Sequence, residues 1–356
     1  MQSRRTAWRI DQAGSLARLR LVEEPIGPPA AGEAQVAVGA VGLNFADVLA
    51  CQGLYSATPK GSFVPGLEVA GRITAVGAPR DGDGARRFAV GDRVIALTRF
   101  GGYASKLNVD TRYLEALPPG WSFEQGAAYP VQALTAWYGL LELGNARAGS
   151  VVLVQSAAGG VGLQALAILA RLGARPVAVI GSAHKREFLV REFGLAPAAV
   201  VLRERRGFAA ALDAALAAMG TTGFDLVFDA VLGPWFRPAF ERLAPEGRHV
   251  LYGAADFVTR GARPSWPRLA ARWLVRPRLD PLAMIAENRG FLAFNLIWLW
   301  QAVERVPGAY ARLAALTLPA PWIGARHPFT AATRALEELQ SGQTVGKTVL
   351  VIDEAG

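Results

Sequence analysis

The chain has 356 residues, of which 52% are hydrophobic and 19% are charged. This composition excludes long disordered stretches, and at roughly 150 residues per domain the length predicts two domains, or three. Thirty-eight Lys and Arg residues against 29 Asp and Glu residues give a formal net charge of +9. The excess is Arg spread along the chain, which favours a compositional bias over a nucleic-acid-binding patch.

Cysteine and histidine are scarce. The single cysteine, Cys51, excludes an intramolecular disulfide, and three histidines leave few ligands for zinc. The amino-terminal residues lack the apolar run of a secretory signal, and no apolar stretch reaches the roughly 20 residues of a membrane span. The sequence therefore predicts a cytoplasmic protein with no metal site and no transmembrane segment.

Short β-like runs broken by Gly, Pro and Asp fill the chain from about residue 6 to residue 116. These runs are 35–43, 68–77, 92–97 and 103–109. They predict an all-β module in the form of a partly open barrel, which ends at the cluster Pro118-Pro119-Gly120.

From Phe123 onward, short buried strands alternate with helices. The predicted strands are 151–155, 176–180, 199–202, 224–231 and 248–253, and the helices lie at about 162–172, 185–193, 208–219 and 234–243. Near-continuous apolar strands separated by helices predict a parallel sheet covered on both faces. A strand-like run follows at 291–300, then a helix at 329–342 and a last strand at 347–352.

The stretch 260–278 contains six arginines together with Trp266 and Trp273. This composition favours a structural excursion on the protein surface. Peripheral contact with an anionic membrane surface is the alternative interpretation.

The segment 151–174 has the order strand, glycine-rich turn and helix. Gly159 and Gly162 let the backbone approach a pyrophosphate and the helix pack closely on the strand, although Ala157 replaces the first glycine of the usual pattern. The start of the helix offers free N–H groups to phosphate oxygens. The turn therefore predicts a dinucleotide site at Ala158, Gly159, Gly160, Val161 and Gly162.

The strand at 176–180 leads into the residues Gly181 to Arg186, where an NAD-binding fold normally presents an acid to the ribose hydroxyls. No acid is present here, and a hydroxyl with two cations fits a 2′-phosphate. Because cations at the start of a helix oppose its dipole, an anionic ligand explains Lys185 and Arg186 better than solvation does. Ser182, Lys185 and Arg186 therefore predict NADPH as the cofactor.

Several segments resemble the medium-chain dehydrogenase/reductase superfamily in its zinc-independent quinone oxidoreductase branch, closest to the vesicle amine transport protein-like group. They are 41–55, 64–77, 90–97, 101–109, 132–162 and 345–352, spread over nearly the whole chain. The resemblance implies an α/β protein with a GroES-like catalytic domain, a Rossmann domain and a cleft between them. We expect the catalytic domain at 1–121, the Rossmann NADP-binding domain at 122–300 and a return to the catalytic domain at 301–356.

Zinc-dependent members of this superfamily use a Cys, a His-Glu pair and a four-cysteine lobe. Here Leu67 stands in the His position beside Glu68, and Cys51 has no partner thiols. The N and S donors that Zn²⁺ prefers are missing, so hydrogen bonds must polarise the substrate oxygen.

The resemblance places Asn44 and Tyr55 near the nicotinamide end of the cleft, as candidate catalytic residues. The Tyr55 hydroxyl can donate to a developing enolate or hydroquinone oxygen, and a packing role is the alternative. Asn44, three residues before Asp47, is also a plausible helix cap.

Further cofactor contacts follow from the resemblance. Thr135, Tyr252 and Asn295 occupy positions where family members line the cofactor. Lys347 is a candidate phosphate contact, with an exposed lysine as the simpler interpretation. Arg203 stands where relatives often carry a Tyr that contacts phosphate, so it either replaces that contact or the contact is lost.

The leading hypothesis is an NADPH-dependent, zinc-free oxidoreductase that transfers hydride to a quinone or an α,β-unsaturated carbonyl. The alternative is a lipid- or partner-binding protein that retains the fold with weak or no catalysis. The resemblance alone implies a homodimer joined through 291–298.

Overall fold

The computed structural model describes residues 3–80 and 87–353, with Leu299 and Trp300 described in their backbone only. The expected outer domain boundaries, residues 1 and 356, lie outside this part of the chain. The strands are β1 (Ser3–Arg9), β2 (Arg20–Ile26), β3 (Glu33–Gly42), β4 (Glu68–Val76), β5 (Arg93–Leu97), β6 (Lys106–Asp110), β7 (Leu114–Ala116), β8 (Val151–Val154), β9 (Arg175–Ile180), β10 (Val200–Leu202), β11 (Phe224–Asp229), β12 (Leu243–Leu251), β13 (Gly290–Ala293), β14 (Ile323–Pro328) and β15 (Lys347–Val351).

The α-helices are α1 (Phe45–Cys51), α2 (Phe123–Ala127), α3 (Pro130–Trp137), α4 (Gly160–Leu172), α5 (Lys185–Phe193), α6 (Phe208–Ala218), α7 (Phe236–Phe240), α8 (Trp266–Leu274), α9 (Pro281–Glu287), α10 (Arg305–Ala315) and α11 (Ala332–Ser341). A π-helical turn, Tyr138–Leu143, continues α3. In the described part of the chain, no helix is long and apolar enough to cross a membrane.

A seven-stranded sheet built mainly from the first third of the chain has the order β14-β15-β3-β4-β5-β7, and β6 also pairs with β3. The last strand, β15, runs antiparallel to β3, with Val349 opposite Gly42. The carboxyl-terminal residues therefore complete the sheet of the amino-terminal module.

A six-stranded parallel sheet has the order β10-β9-β8-β11-β12-β13. Its central strand β8 is buried at every position, as expected for a parallel sheet with helices on both faces. Two apolar clusters cover those faces, one around α3 and α4 and the other around α6 and α7. The predicted parallel sheet is confirmed, and β8 lies at its centre.

Three predicted elements end earlier than the sequence indicates. The run 291–300 is a strand only to Ala293, because the Asn295 side chain accepts the Ile297 N–H and starts a 3₁₀ turn. The strand 224–231 stops at Asp229, whose carboxylate accepts the N–H groups of the next turn. The helix 234–243 shrinks to α7, because Leu243 already begins β12 beside Phe224.

Three further features differ from the predictions. The β1–β2 hairpin precedes the predicted barrel strands, and the excursion 260–278 contains the short helix α8. The predicted strand 103–109 begins only at Lys106.

Candidate cofactor and active site

The glycine-rich turn joins β8 to α4. Ser156 adopts a left-handed conformation (φ 55°), so the usual first glycine is unnecessary at Ala157, which is fully buried. A Cβ at Gly162 would lie 2.5 Å from the carbonyl oxygens of Ser156 and Ala157. Gly162 therefore permits the close helix–strand approach that a dinucleotide turn needs.

The turn also contacts the catalytic domain. The Gly346 N–H donates to the Ala158 carbonyl over 2.8 Å, and Gly159 forms a parallel bridge with Gly346. The start of α4, with Gly160 and Val161, thus faces the junction of the two sheets. Its first N–H groups have no acceptor within the helix, as at every helix start, and can receive an anion.

The predicted adenosine end of the site is formed by Ser182, Lys185 and Arg186. The Lys185 ammonium donates to the carbonyls of Gly342 (2.6 Å) and Thr344 (2.8 Å), and the Ser182 hydroxyl donates to the Gln343 side chain over 3.3 Å. Burial lowers the pKa of Lys185 to about 8. An ammonium has three donors, so Lys185 retains one for an anion.

Arg186 does not join Ser182 and Lys185 at the predicted adenosine end. Its guanidinium donates instead to the Pro197 carbonyl at the surface over 3.0 Å. Arg203, at the end of β10, instead lies at the sheet edge. Its guanidinium donates to the Ser156 hydroxyl over 3.3 Å and stacks 4.9 Å from the Trp235 ring, and its buried Nε has no partner. Burial lowers the pKa of Arg203. The cations near the turn are therefore Lys185 and Arg203.

A buried polar network lies beneath the turn. The Lys347 ammonium donates to Glu68 Oε1 (2.6 Å) and to Asn44 Oδ1 (2.8 Å). Glu68 Oε1 also accepts the Asn44 amide N–H over 2.9 Å, and Glu68 Oε2 accepts the Val131 backbone N–H over 2.9 Å. Lys347 and Glu68 are 4% and 0% exposed, so this ion pair is excluded from water.

The Asn44 side chain is fully engaged in this network. Its Oδ1 accepts from Lys347 and from Gln132 Nε2, and its Nδ2 donates to Glu68 and to the Gly42 carbonyl. These bonds use both acceptor and both donor positions of the amide. Asn44 is therefore held rigidly beside the turn.

Asp47 carries the capping role that the sequence left open. Its carboxylate accepts the Asn44 backbone N–H over 2.8 Å and the Tyr103 hydroxyl over 3.1 Å. Burial raises the pKa of Asp47 to about 7. The helix cap thus uses the Asn44 backbone N–H and the Asp47 carboxylate, whereas the polar network uses the Asn44 side chain.

Tyr55 and Asn295 meet across the cleft. The Tyr55 hydroxyl donates to Asn295 Oδ1 over 2.8 Å, which joins the loop after α1 to the residues after β13. Burial raises the pKa of Tyr55 to about 12, so the phenol keeps its proton at neutral pH. The structure therefore brings together two residues that are 240 positions apart in the sequence.

The remaining predicted cofactor contacts are Thr135, Tyr252 and Lys347. Thr135 is buried in α3, one turn after Val131. Tyr252 stacks on Phe228 at 4.2 Å and donates its backbone N–H to the Asp229 carbonyl. Lys347 lies in the buried network and not at the surface.

The sequence interpretation did not assign Glu68 or Gln132 a role in the site. Glu68 stands directly before the apolar residues Val69, Ala70 and Gly71 in β4, and a carboxylate buried there requires a partner. This glutamate was the signal in the sequence that could have revealed the buried polar network. In the described residues, no three His, Cys, Asp or Glu side chains are arranged to hold a metal ion.

Comparison with known protein families identifies the class of protein to which this chain belongs. Residues 30–120 match the alcohol dehydrogenase GroES-like domain and residues 160–270 match the zinc-binding dehydrogenase domain. The fold and the glycine-rich turn thus define a two-domain oxidoreductase with a GroES-like domain and a Rossmann domain.

Three individual relatives indicate the branch of the oxidoreductase superfamily to which this chain is similar. The human synaptic vesicle membrane protein VAT-1 homolog is 32% identical over 343 residues, covering 95% of this chain and 84% of the human protein. The quinone oxidoreductase of Thermus thermophilus, solved also in complex with NADPH, is 29% identical with a TM-score of 0.74, covering 97% of this chain and 99% of that one. The CurK enoyl reductase is 28% identical with a TM-score of 0.78, covering 98% and 99%.

The chain belongs to the medium-chain dehydrogenase/reductase superfamily, in its zinc-independent quinone oxidoreductase branch near the VAT-1 homologs. The resemblance drawn from the sequence motifs is confirmed.

Proposed function

We propose that this protein is an NADPH-dependent reductase of conjugated carbonyls, either quinones or α,β-unsaturated ketones. The observation that carries the proposal is the glycine-rich turn between β8 and α4, together with the Tyr55–Asn295 hydrogen bond that spans the cleft. The Thermus relative that was solved with NADPH and the CurK enoyl reductase support the same class of reaction.

The residues present fit the cofactor. Gly159, Gly160, Val161 and Gly162 would hold the pyrophosphate at the start of α4, and Ser182, Lys185 and Arg203 would surround the 2′-phosphate. No carboxylate lies between β9 and Arg186, where one would repel that phosphate. Bound NADPH supplies the hydride.

The protein's own groups then orient the substrate and stabilise charge. Tyr55, whose raised pKa keeps it protonated, can turn its hydroxyl from Asn295 to an oxygen that gains negative charge. Asn44, Gln132 and Lys347, which belong to the rigid network beneath the glycine-rich turn, would form a polar floor for the bound cofactor. Since a quinone or enone product can take its proton from solvent, no further acid is required.

The cofactor assignment predicts that NADPH binds at least about tenfold more tightly than NADH, a difference of about 1.4 kcal/mol. Lys185→Gln should remove much of that preference, because one charge-assisted contact is lost. Titration of both cofactors by fluorescence measures it. Arg186→Gln is the matched control, since its guanidinium points to Pro197; equal wild-type affinities for the two cofactors would contradict the assignment.

The role of Tyr55 predicts that Tyr55→Phe lowers kcat/KM for conjugated carbonyls by about tenfold while NADPH affinity stays nearly constant. The loss stays below the roughly 2.7 to 4 kcal/mol of a preorganised oxyanion donor, because water can replace the hydroxyl. Steady-state kinetics over several quinones and enones measures it. Full activity of the variant on all of them would make Tyr55 a packing residue.

The binding-protein alternative makes a different prediction. If the fold only binds a lipid or a partner, the wild-type protein should retain NADPH without oxidising it in the presence of any quinone or enone. Absorbance of the reduced nicotinamide over time separates the two functions.

A further inference from the structure

A second contact across the cleft lies beside the Tyr55–Asn295 hydrogen bond. A 3₁₀ helix, Leu296–Ala302, begins after Asn295, and the Trp298 N–H donates to the Asn295 carbonyl over 3.1 Å. The Trp298 ring lies 6.0 Å from the guanidinium carbon of Arg99, which follows β5 in the catalytic domain. Since one 3₁₀ turn separates Asn295 from Trp298, both side chains belong to the same short segment of the cleft.

The segments that carry Arg99 and Trp298 also pack together through apolar side chains. Leu97, the last residue of β5, and Leu296, the first residue of the 3₁₀ helix, line one crevice together with Trp137 of α3. Arg99 and Trp298 each follow two residues later and are exposed to solvent. The Arg99–Trp298 pair therefore rests on an apolar base between the two domains.

The bend after β5 holds Arg99 in place. The buried Thr98 hydroxyl donates to the Gly66 carbonyl over 2.8 Å. Phe100 adopts a left-handed conformation (φ 69°), and its ring packs edge-on against Phe63 at 5.5 Å. A bulky residue keeps such a conformation only where its surroundings impose it, and such positions concentrate at binding sites. Arg99 thus lies between two anchored residues.

The donors of the Arg99 guanidinium are free. Among the side chains that the structure describes, it forms no salt bridge and no hydrogen bond, and its ring contact is with Trp298, which is 44% exposed. A guanidinium presents a planar fork of N–H donors that matches a carboxylate. Solvation explains a free arginine on an open surface, but it does not explain one stacked on a tryptophan at a strained bend beside the Tyr55 hydroxyl.

We propose that the cleft takes conjugated carbonyl substrates that carry a carboxylate, and that Arg99 binds this carboxylate while the apolar chain of the substrate lies on Trp298. The reactive carbonyl would then meet the Tyr55 hydroxyl. The carboxylate takes no part in hydride transfer and serves recognition only. This inference rests on the proposed reductase function and adds the class of substrate.

Matched pairs of substrates test the proposal. They are straight-chain methyl enones that end in a carboxylate, in a short series of chain lengths, and the amides of the same chains. For at least one chain length, we expect the wild-type kcat/KM to be at least about tenfold higher for the carboxylate than for the amide. Raised salt should lower this ratio, because the contact is exposed to solvent.

Three substitutions of Arg99 separate charge from packing. Arg99→Gln should lower the carboxylate-to-amide ratio about tenfold, mainly through a higher KM for the carboxylate. Arg99→Glu should lower the ratio further, because it repels the anion. Arg99→Lys should retain part of the ratio, because an ammonium keeps the charge without the planar fork.

Arg93→Gln is the matched control. Arg93 also lies on β5, and its guanidinium stacks 4.8 Å from the Phe123 ring, but it stands at the other end of the strand. This variant should keep the wild-type ratio. Circular dichroism melts and NADPH titration establish that every variant is folded and binds the cofactor.

Two results would overturn the proposal and leave the reductase function intact. The wild type could reduce the carboxylate and the amide of every chain length with equal kcat/KM, or Arg99→Gln could keep the wild-type ratio. A third result, no oxidation of NADPH with any of these enones or with simple quinones, would contradict the reductase function and this proposal with it.

Discussion

Lys347 and Glu68 form a buried ion pair whose partners come from opposite ends of the chain, 279 positions apart. Burial lowers the pKa of Lys347, and the Glu68 carboxylate opposes that effect. Each charge is tolerated only because the other is present, since an isolated charge in this interior would be strongly destabilising. The same ammonium fixes the Asn44 amide, so stability and site geometry depend on one contact.

Lys347→Met should lower the free energy of unfolding by about 3 to 5 kcal/mol, because Glu68 would remain buried without its cation. Urea unfolding measures the change. The double variant Lys347→Met/Glu68→Gln removes both charges and should recover a large part of the loss. A single variant as stable as the wild type would show that the network contributes no net stability.

The sequence could not reveal this network. A lysine at the start of a final strand is typical of a surface position. Only the antiparallel pairing of β15 with β3 places Lys347 in the interior beside Glu68. Tyr55 and Asn295 were each singled out separately, but their mutual contact depends on how the two domains meet.

Helix α4 and its preceding turn are the element that local sequence predicted best. The strand is a continuous apolar run, and the helix begins after Gly159 and ends at Gly173, which is in the left-handed conformation. Elements whose ends depend on distant contacts were predicted less well. Strand β12 begins at Leu243 because Phe224 lies beside it, and no local signal indicates that start.

Gly162→Ala should destabilise the protein by about 1 to 3 kcal/mol and weaken NADPH binding, because the new Cβ would push α4 away from the turn. Gly308→Ala in α10 is the matched control. A Cβ there meets no atom within 4 Å, and alanine favours a helix, so this variant should be neutral or stabilising. Thermal melts and NADPH titration of both variants test the packing argument; a Gly162→Ala protein with wild-type stability would contradict it.

At the scale of the whole molecule, β13 is one of the two edge strands of the six-stranded sheet, and β10 is the other. An unpaired edge can join the same edge of a second copy about a two-fold axis. We propose a homodimer formed in this way. The Phe294 N–H donates to the Leu251 carbonyl inside the sheet, so by alternation the Ala293 N–H points outward.

Ala293→Pro should therefore convert the dimer to a monomer, because it removes an outward donor and leaves the pairing with β12 in place. Light scattering coupled to size-exclusion chromatography measures the mass, with circular dichroism as the test of folding. A monomeric wild type, or a variant that remains dimeric, would rule out this edge as the interface.

The two domains bring the glycine-rich turn and Tyr55 to the same cleft. The domain of the seven-stranded sheet contributes Tyr55, Asn44 and Lys347, and α3 contributes Gln132. The parallel sheet contributes the glycine-rich turn, and the Gly346–Ala158 hydrogen bond joins the two parts. This placement supports direct hydride transfer from a bound nicotinamide to a substrate held by Tyr55. Measurements of NADPH binding alone do not test that transfer.

The most direct measurement follows deuterium from NADPH labelled at nicotinamide C4 into the product of an α,β-unsaturated ketone. The account predicts one deuterium at the β-carbon of the saturated product, from one face of the nicotinamide only, with the rate lowered in Tyr55→Phe. Tight binding of NADPH with no deuterium in any product, across enones and quinones alike, would contradict the reductase function.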